Sequence, residues 1–223
     1  VLLAHDPLRR RTVLYGGSGG GFYGDTWEWD GATWIEVARE IGPGPGDSGP
    51  MAYDSARRRT VICGGAAGWW TDTWEWNGTD WTRRAPRTVL PTGAGYAMAY
   101  DSIRSRLVLC GFAPGAAYQD VWEWDGSDWA VRWAGAKPPG REGTAVAFDS
   151  RRGRTVLFGG GGSRGPAVAD TWEWDGTRWE QRLPATSPPP PAPPWLAYDE
   201  ARGVTGLYQN AYGFQGDVWE WDG

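Results

Sequence analysis

The chain has 223 residues and a formal net charge of −5, with 18 Trp and 35 Gly. The negative charge argues against nucleic acid or an anionic membrane as the main partner, and no apolar run reaches the length of a membrane span, so we predict no membrane insertion. With one His and two Cys, the sequence holds too few soft ligands for a metal or redox centre, and we predict no cofactor and no metal.

One phrase recurs five times along the chain. It reads DTWEWDG from Asp25, DTWEWNG from Asp72, DVWEWDG from Asp120, DTWEWDG from Asp170 and DVWEWDG from Asp217. The steps between the copies are 47, 48, 50 and 47 residues. A second phrase of the type M-A-Y-D keeps the same phase, and R-T-V-L-x-G-G or a variant follows it. Phrases that share one register indicate a repeat protein.

Each repeat predicts four short strands, which we call A to D in chain order. Strand A is the apolar run that ends in Asp, strand B is T-V-L-x-G, and a variable loop leads to strand C, D-T-W-E-W. A D-G or N-G pair then predicts a tight hairpin turn. Strand D begins at a Trp, namely Trp34, Trp81, Trp129 and Trp179. Four strands per repeat describe the blade of an all-β propeller.

The Gly pair, the variable gap, the aromatic of D-[TV]-W and the Trp after the turn together resemble the kelch repeat. The resemblance covers the whole chain and implies a kelch-type β-propeller with four-stranded antiparallel blades, like the central domain of galactose oxidase. Kelch propellers include both enzymes and binding modules, so the resemblance leaves the function open. Copper chemistry of the galactose-oxidase type would require several His ligands, and His5 is the only His.

We predict one propeller domain over residues 1–223, with repeats at about 1–45, 46–92, 93–140, 141–190 and 191–223. The fifth repeat shows strands A to C only. Two alternatives follow: a five-bladed propeller whose last blade lacks its outer strand, or part of a six- to seven-bladed ring. The proline-rich run 184–194 keeps the repeat phase, which predicts a loop between blades rather than a domain linker.

The framework phrases also predict contacts between blades. The Trp residues of strand C are expected to pack between blades, and the Glu between them then needs a buried partner. An Arg recurs three residues after the Asp of strand A in every repeat and is the expected partner. The predicted pairs join Glu28, Glu75, Glu123, Glu173 and Glu220 to Arg9, Arg57, Arg104, Arg152 and Arg202. We interpret Cys63 and Cys110 as small apolar packing residues and His5 as a framework aromatic.

Function is expected where the repeats differ. The B–C and D–A connections vary in length and lie on one face of the propeller, which we call the loop face, and variable loops on a rigid scaffold commonly carry binding sites. Exposed aromatic side chains with a few charges suit sugar stacking or a protein contact. The predicted ligand-binding residues are Phe22, Tyr23, Trp69, Trp70, Tyr118, Arg141, Glu142, Arg164, Trp195, Tyr212 and Phe214.

These features favour a non-enzymatic recognition module, exported by a bacterium to the cell surface or beyond, that binds protein or glycan through the loop face. We predict no catalytic residue. One alternative is a carbohydrate-active enzyme, a glycosidase or lyase, with Asp47 and Glu142 as its loop carboxylates. Another is a structural repeat of a larger surface protein that carries further domains or blades.

Overall fold

The computed structural model describes residues 1–19, 21–39, 42–44, 49–64, 71–91, 94–112, 117–132, 135–161, 167–189, 194–209 and 217–223. Within these ranges all the regular secondary structure is β-strand, which confirms the predicted all-β class. None of the described residues belongs to a helix that is long and apolar enough to cross a membrane.

The strands form five antiparallel sheets, which are the five blades of a β-propeller. Within each blade, strands that follow one another in sequence are hydrogen-bonded neighbours. In chain order, blade 1 holds β1 (Leu2–Asp6), β2 (Arg11–Ser18), β3 (Phe22–Trp29) and β4 (Trp34–Ala38); blade 2 holds β5 (Met51–Asp54), β6 (Arg59–Cys63), β7 (Thr73–Trp76) and β8 (Trp81–Arg84); blade 3 holds β9 (Ala94–Asp101), β10 (Arg106–Phe112), β11 (Asp120–Trp124) and β12 (Trp129–Arg132); blade 4 holds β13 (Ala145–Asp149), β14 (Arg154–Phe158), β15 (Thr171–Trp174) and β16 (Trp179–Arg182); and blade 5 holds β17 (Trp195–Asp199), β18 (Val204–Gln209) and β19 (Asp217–Trp221).

Both short turns of blades 1 to 4, and the A–B turn of blade 5, are built around an acidic or amide side chain. In the A–B turn of blade 1, Asp6 Oδ1 accepts hydrogen bonds from the backbone N–H groups of Leu8 and Arg9 at 3.0 and 3.1 Å. In the C–D turn of the same blade, Asp30 Oδ1 accepts from Ala32 and Thr33 at 2.8 and 2.9 Å. These turns recur in register, and they therefore fix the spacing of the strands.

The hydrophobic core lies between the blades rather than inside one sheet. The A strands β1, β5, β9, β13 and β17 contact one another in sequence around the axis. Between blades 2 and 3, buried Val61 packs with Leu107, Leu109 and Trp129. Cys63 and Cys110 are buried and unpaired, and burial raises the pKa of both thiols. Both cysteines thus act as the apolar packing residues that the sequence predicts.

The predicted Arg–Glu pair forms within four blades, and the Glu of blades 1 to 4 also accepts a hydrogen bond from a Trp of the next blade. Glu28 accepts hydrogen bonds from both terminal nitrogens of Arg9, at 2.6 and 3.0 Å, and from the indole Nε1 of Trp76 in blade 2, at 3.0 Å. The same pairing joins Arg104 to Glu123, Arg152 to Glu173 and Arg202 to Glu220. Each indole therefore ties its own blade to the carboxylate of the preceding one.

Blade 2 departs from the predicted pairing. Arg57 bonds to Asp54 and to the carbonyl of Asp125 in the next blade, whereas Glu75 lies 3.5 Å from Arg84 of its own strand D. The prediction that Arg57 pairs with Glu75 is therefore wrong. Like Arg9, Arg104 and Arg152, Arg57 still places its guanidinium under the C–D turn glycine of the next blade, where a Cβ on Gly126 would overlap it.

Candidate functional site

The loop face of blade 1 carries an open cavity of about 570 Å³. Its described lining comes from strand C, strand D and the connection to blade 2. The lining residues are Phe22, Tyr23, Gly24, Asp25, Glu36, Arg39, Gly42 and Gly44. The volume falls within the range of about 300–1,000 Å³ that is usual for small-ligand sites.

Two aromatic rings project into solvent beside this cavity, because the two strands of the B–C hairpin in blade 1 are long. Strands β2 and β3 have eight residues each and remain paired as far as Ser18 and Phe22. The side chain of Phe22 is 69% exposed and that of Tyr23 is 49% exposed. The Tyr23 hydroxyl donates to the carbonyl of Gly19 at 2.8 Å, which fixes the position of the phenol ring.

Asp25, the first residue of the recurring phrase, sits in the wall of this cavity with an incomplete set of partners. Its Oδ2 accepts a hydrogen bond from the indole of Trp27 at 2.6 Å. Its Oδ1 has no hydrogen-bond partner, and the carboxylate forms no ion pair with any described residue. A carboxylate oxygen without a donor is costly when it is shielded from water, and Oδ1 is buried in this structure, so a ligand hydroxyl supplies the missing hydrogen bond only when the Asp25 side chain turns towards the cavity.

The equivalent Asp in each of the next three blades is paired with a cation. Arg83 Nη2 lies 2.7 Å from Asp72, and Lys137 Nζ lies 3.0 Å from Asp120. Both terminal nitrogens of Arg141 bond to Asp170. Blade 1 has Glu36 at the strand D position of Arg83, two residues after the Trp. Among the described residues, blade 1 therefore lacks the Asp–cation pair that blades 2 to 4 share.

Glu36 and Arg39 also line the cavity, and they form an ion pair with each other. The guanidinium of Arg39 donates two hydrogen bonds of 2.6 Å to the two carboxylate oxygens of Glu36. These hydrogen bonds lower the pKa of Glu36. A general acid at neutral pH needs a raised pKa, so the pairing suits Glu36 to holding a ligand rather than to donating a proton.

Tyr15 holds in place Gly44, one of the residues that line the cavity. Its hydroxyl donates to the carbonyl of Gly44 at 2.7 Å, and its ring lies edge-on to Trp81 with centroids 5.2 Å apart. Burial, reinforced by the negative charge of Asp25, raises the pKa of Tyr15 to about 12. The phenol therefore stays neutral at physiological pH, and it anchors the connection between blades 1 and 2.

A second cavity of about 450 Å³ opens at the centre of the opposite face, where the A–B turns lie. It is lined by the aromatic position of every strand A, which includes His5, Tyr53, Tyr100, Phe148 and Tyr198. The hydroxyl of Tyr100 accepts the N–H of Ala56 at 3.1 Å in the preceding blade. These rings are thus part of the framework, as the sequence predicts for His5.

The other predicted ligand residues are dispersed. Tyr118 and Trp195 are 56% and 58% exposed; Trp195 is the first residue of β17 and stacks against Tyr208 with centroids 5.9 Å apart. Glu142 is half-buried, and its backbone pairs with Gly161. The predicted positions Trp69, Trp70, Arg164, Tyr212 and Phe214, and the carboxylate candidate Asp47, lie outside the described residues.

Arg141 occupies a different environment from the exposed one expected of a ligand residue. It is 3% exposed, and its guanidinium bonds to Asp170 and to the carbonyls of Pro139 and Gly159. Its donors are directed at the protein, so we leave Arg141 out of the candidate site. Among the described residues, no group of three or more His, Cys, Asp or Glu side chains is placed to hold a metal ion.

Comparison with known proteins supports the fold. The chain superimposes on a solved structure titled "Structure of YjhT" with a TM-score of 0.70 and 12% sequence identity, over 93% of this chain and 77% of that one. At this identity the likeness shows the fold alone. No family model matches the chain, and no curated protein matches it. Membership of the kelch family therefore remains a prediction from the repeat phrases.

Proposed function

We propose that the protein is a non-enzymatic recognition module that binds a glycan in the blade 1 cavity of the loop face. The observation that carries the proposal is the combination, in one cavity, of two exposed aromatic rings with a carboxylate that is paired with no cation among the described residues. Phe22 and Tyr23 offer flat apolar surface, and Asp25 offers a hydrogen-bond acceptor.

Sugars present the complementary chemistry. Their C–H faces pack against aromatic rings, while their hydroxyl groups donate to carboxylates and accept from guanidinium groups. The rigid blade fixes both kinds of group before the ligand arrives, which reduces the entropy lost on binding. A protein partner would use the same aromatic rings as contact residues, but it would leave the enclosed acceptor of Asp25 without a specific role.

A glycan array probed with the labelled 223-residue chain tests the proposal. We expect retention of at least one glycan class, and we expect the double variant Phe22→Ala/Tyr23→Ala to weaken that binding about tenfold or more. Both side chains are exposed, so the melting temperature should change little. Ile103→Ala is the matched control, because Ile103 is 63% exposed in a turn of the opposite face.

Two results would contradict glycan recognition at this cavity. One is an array on which the wild-type chain binds nothing, together with retention of a peptide in a parallel peptide screen, which would indicate a protein partner. The other is a glycan that the double variant binds as tightly as the wild type does, which would place the site elsewhere.

A further inference from the structure

The A–B turn of every blade holds one residue in a left-handed backbone conformation. It is the fifth residue of the turn motif D-x-x-R-x, and its φ lies between 53° and 69° in all five blades. Glycine adopts this conformation without strain, whereas a residue with a Cβ does not. The five residues are Arg10, Arg58, Ser105, Gly153 and Gly203. Blades 4 and 5 thus have the residue that the turn favours, and blades 1 and 2 have Arg in its place.

The contacts of these two arginines do not explain why they stand in the turns. The side chains of Arg10 and Arg58 are exposed, and their guanidinium groups form no ion pair or hydrogen bond with any described residue. The preceding Arg of each turn, Arg9 or Arg57, already bonds to the Asp that ends strand A. The backbone strain is therefore not compensated within the described fold, and strain of this kind is concentrated at functional sites.

Both arginines belong to turns that border the central cavity of the turn face, by which we mean the face that carries the A–B turns. Pro7 and Ser55 line this cavity, and they stand three residues before Arg10 and Arg58. Burial raises the pKa of Tyr53, another lining residue, and the positive charge of Arg58 opposes the rise. The charge of Arg58 therefore acts at the wall of the cavity.

The carboxylates nearby do not neutralise the two cations. Asp6 and Asp54 end strand A in blades 1 and 2, but each is buried and paired with the Arg three residues later. Among the described residues that line the cavity, the one carboxylate is that of Glu200 in blade 5. The side of the cavity that blades 1 and 2 form therefore carries an excess of positive charge.

This arrangement matches a phosphate monoester of a small organic molecule. A guanidinium group donates two parallel hydrogen bonds to phosphate oxygens, and two guanidinium groups balance the double negative charge of a monoester. The rings of Tyr53 and Tyr100 and the hydroxyl groups of Ser55 and Ser102 line the rest of this part of the cavity. They offer apolar surface and hydrogen bonds to the organic part of the ligand. The volume of about 450 Å³ is usual for a small-ligand site.

We infer that the central cavity of the turn face binds a small phosphate monoester, whose phosphate group is held by the guanidinium groups of Arg10 and Arg58. The organic part of the ligand lies against Tyr53. The site is on the opposite face from the glycan cavity and does not depend on it. The strained arginines are retained in blades 1 and 2 because they serve the ligand, whereas blades 4 and 5 show what the framework alone requires.

Isothermal titration calorimetry with phenyl phosphate as the probe tests the inference. In a buffer of low ionic strength, the 223-residue chain should bind the probe with a Kd below about 1 mM. Phenol, which has the same ring without the phosphate, should give no saturable binding. The double variant Arg10→Gly/Arg58→Gly should weaken the binding of phenyl phosphate about tenfold or more. Because glycine relieves the left-handed backbone, the melting temperature of this variant should rise by about 2–4 °C.

Ser105→Gly is the matched control, because it relieves the same backbone conformation in blade 3 without removing an Arg. It should raise the melting temperature and leave the affinity for phenyl phosphate unchanged. The loop-face variant Phe22→Ala/Tyr23→Ala should also bind the probe as the wild type does, which separates this site from the glycan cavity.

Three results overturn the inference. The first is the absence of saturation by the wild type at 1 mM phenyl phosphate, or equal binding of phenol. The second is an affinity of the double glycine variant equal to that of the wild type. The third is a lower melting temperature of the double glycine variant, because the two arginines would then serve the turns themselves.

Discussion

Blades 1 and 4 carry the same strand C sequence, D-T-W-E-W, but they surround its first residue, an Asp, with different charges. Asp170 is held by the buried guanidinium of Arg141 and by the indole of Trp172. Asp25 has the matching indole contact to Trp27 but no cation within the described residues. The same residue is thus paired with a cation in one blade and has an unused acceptor oxygen in the other.

The difference shows how a repeat protein can acquire a site without a new motif. The framework needs the Asp–cation pair in most blades, and a single departure leaves a carboxylate beside a cavity. In blade 1 that departure coincides with a longer hairpin that raises Phe22 and Tyr23. Function is therefore expected where a repeated pair is left incomplete.

Among the framework residues, Glu123 is expected to give the largest loss of stability when it is substituted. Its side chain is 2% exposed and bonds to Arg104 of the A–B turn and to Arg132 of strand D. Glu123→Gln removes the charge that both guanidinium groups share, and we expect the free energy of unfolding to fall by about 2–3 kcal/mol. Urea denaturation measures the change. Glu220→Gln is the control at an exposed pair, and a similar loss there would contradict the account.

The same carboxylate predicts a response to acid. Burial by itself would raise the pKa of Glu123, but the hydrogen bonds from Arg104 and Arg132 outweigh it and lower the pKa below the ordinary 4.5. Its contribution to stability is therefore complete above pH 4.5 and is lost as the pH falls through the lowered value. The unfolding free energy of the wild type should fall more steeply on acidification than that of Glu123→Gln.

A smaller effect is expected at the junction of blades 3 and 4. Trp179 Nε1 has no hydrogen-bond acceptor in the described part of the chain. Val121→Thr should supply one, as Thr26 does for Trp81, and should raise the free energy of unfolding by about 1 kcal/mol. Val and Thr have similar shapes, so the packing of this position in one buried cluster with Trp179 should persist. The melting temperature measures the gain. An unchanged or lower value would show that the indole finds no acceptor at this position.

Much of the fold could be predicted from the sequence because the repeat supplies each signal five times. The turn residues fix the strand bounds, and the recurrence of Glu and Arg predicts the ion pairs within the blades. The prediction was wrong at Arg57 because a recurring Arg has two acceptors within reach. One is the Glu of its own blade, and the other is the turn carbonyl of the next blade. The spacing of residues does not choose between them.

Less of the candidate site was predictable. Phe22 and Tyr23 were identified as aromatics outside the framework, and Arg141 was assigned to the same surface. A position in a connection does not reveal whether a long side chain folds back, and Arg141 folds back onto Asp170. Asp25 begins a recurring phrase, and recurrence by itself favours a structural role. Comparison of Glu36 with Arg83 at one strand D position could have revealed the difference in blade 1.

The most direct test compares Asp25→Asn with Asp170→Asn in two assays, the affinity for a glycan retained by the array and the urea midpoint. We predict that Asp25→Asn weakens glycan binding about tenfold and leaves the midpoint unchanged. Asp170→Asn should lower the midpoint, since Arg141 loses its charged partner, and should leave the affinity intact. Equal behaviour of the two variants in both assays would contradict the claim that Asp25 serves ligand binding whereas Asp170 serves the stability of the fold.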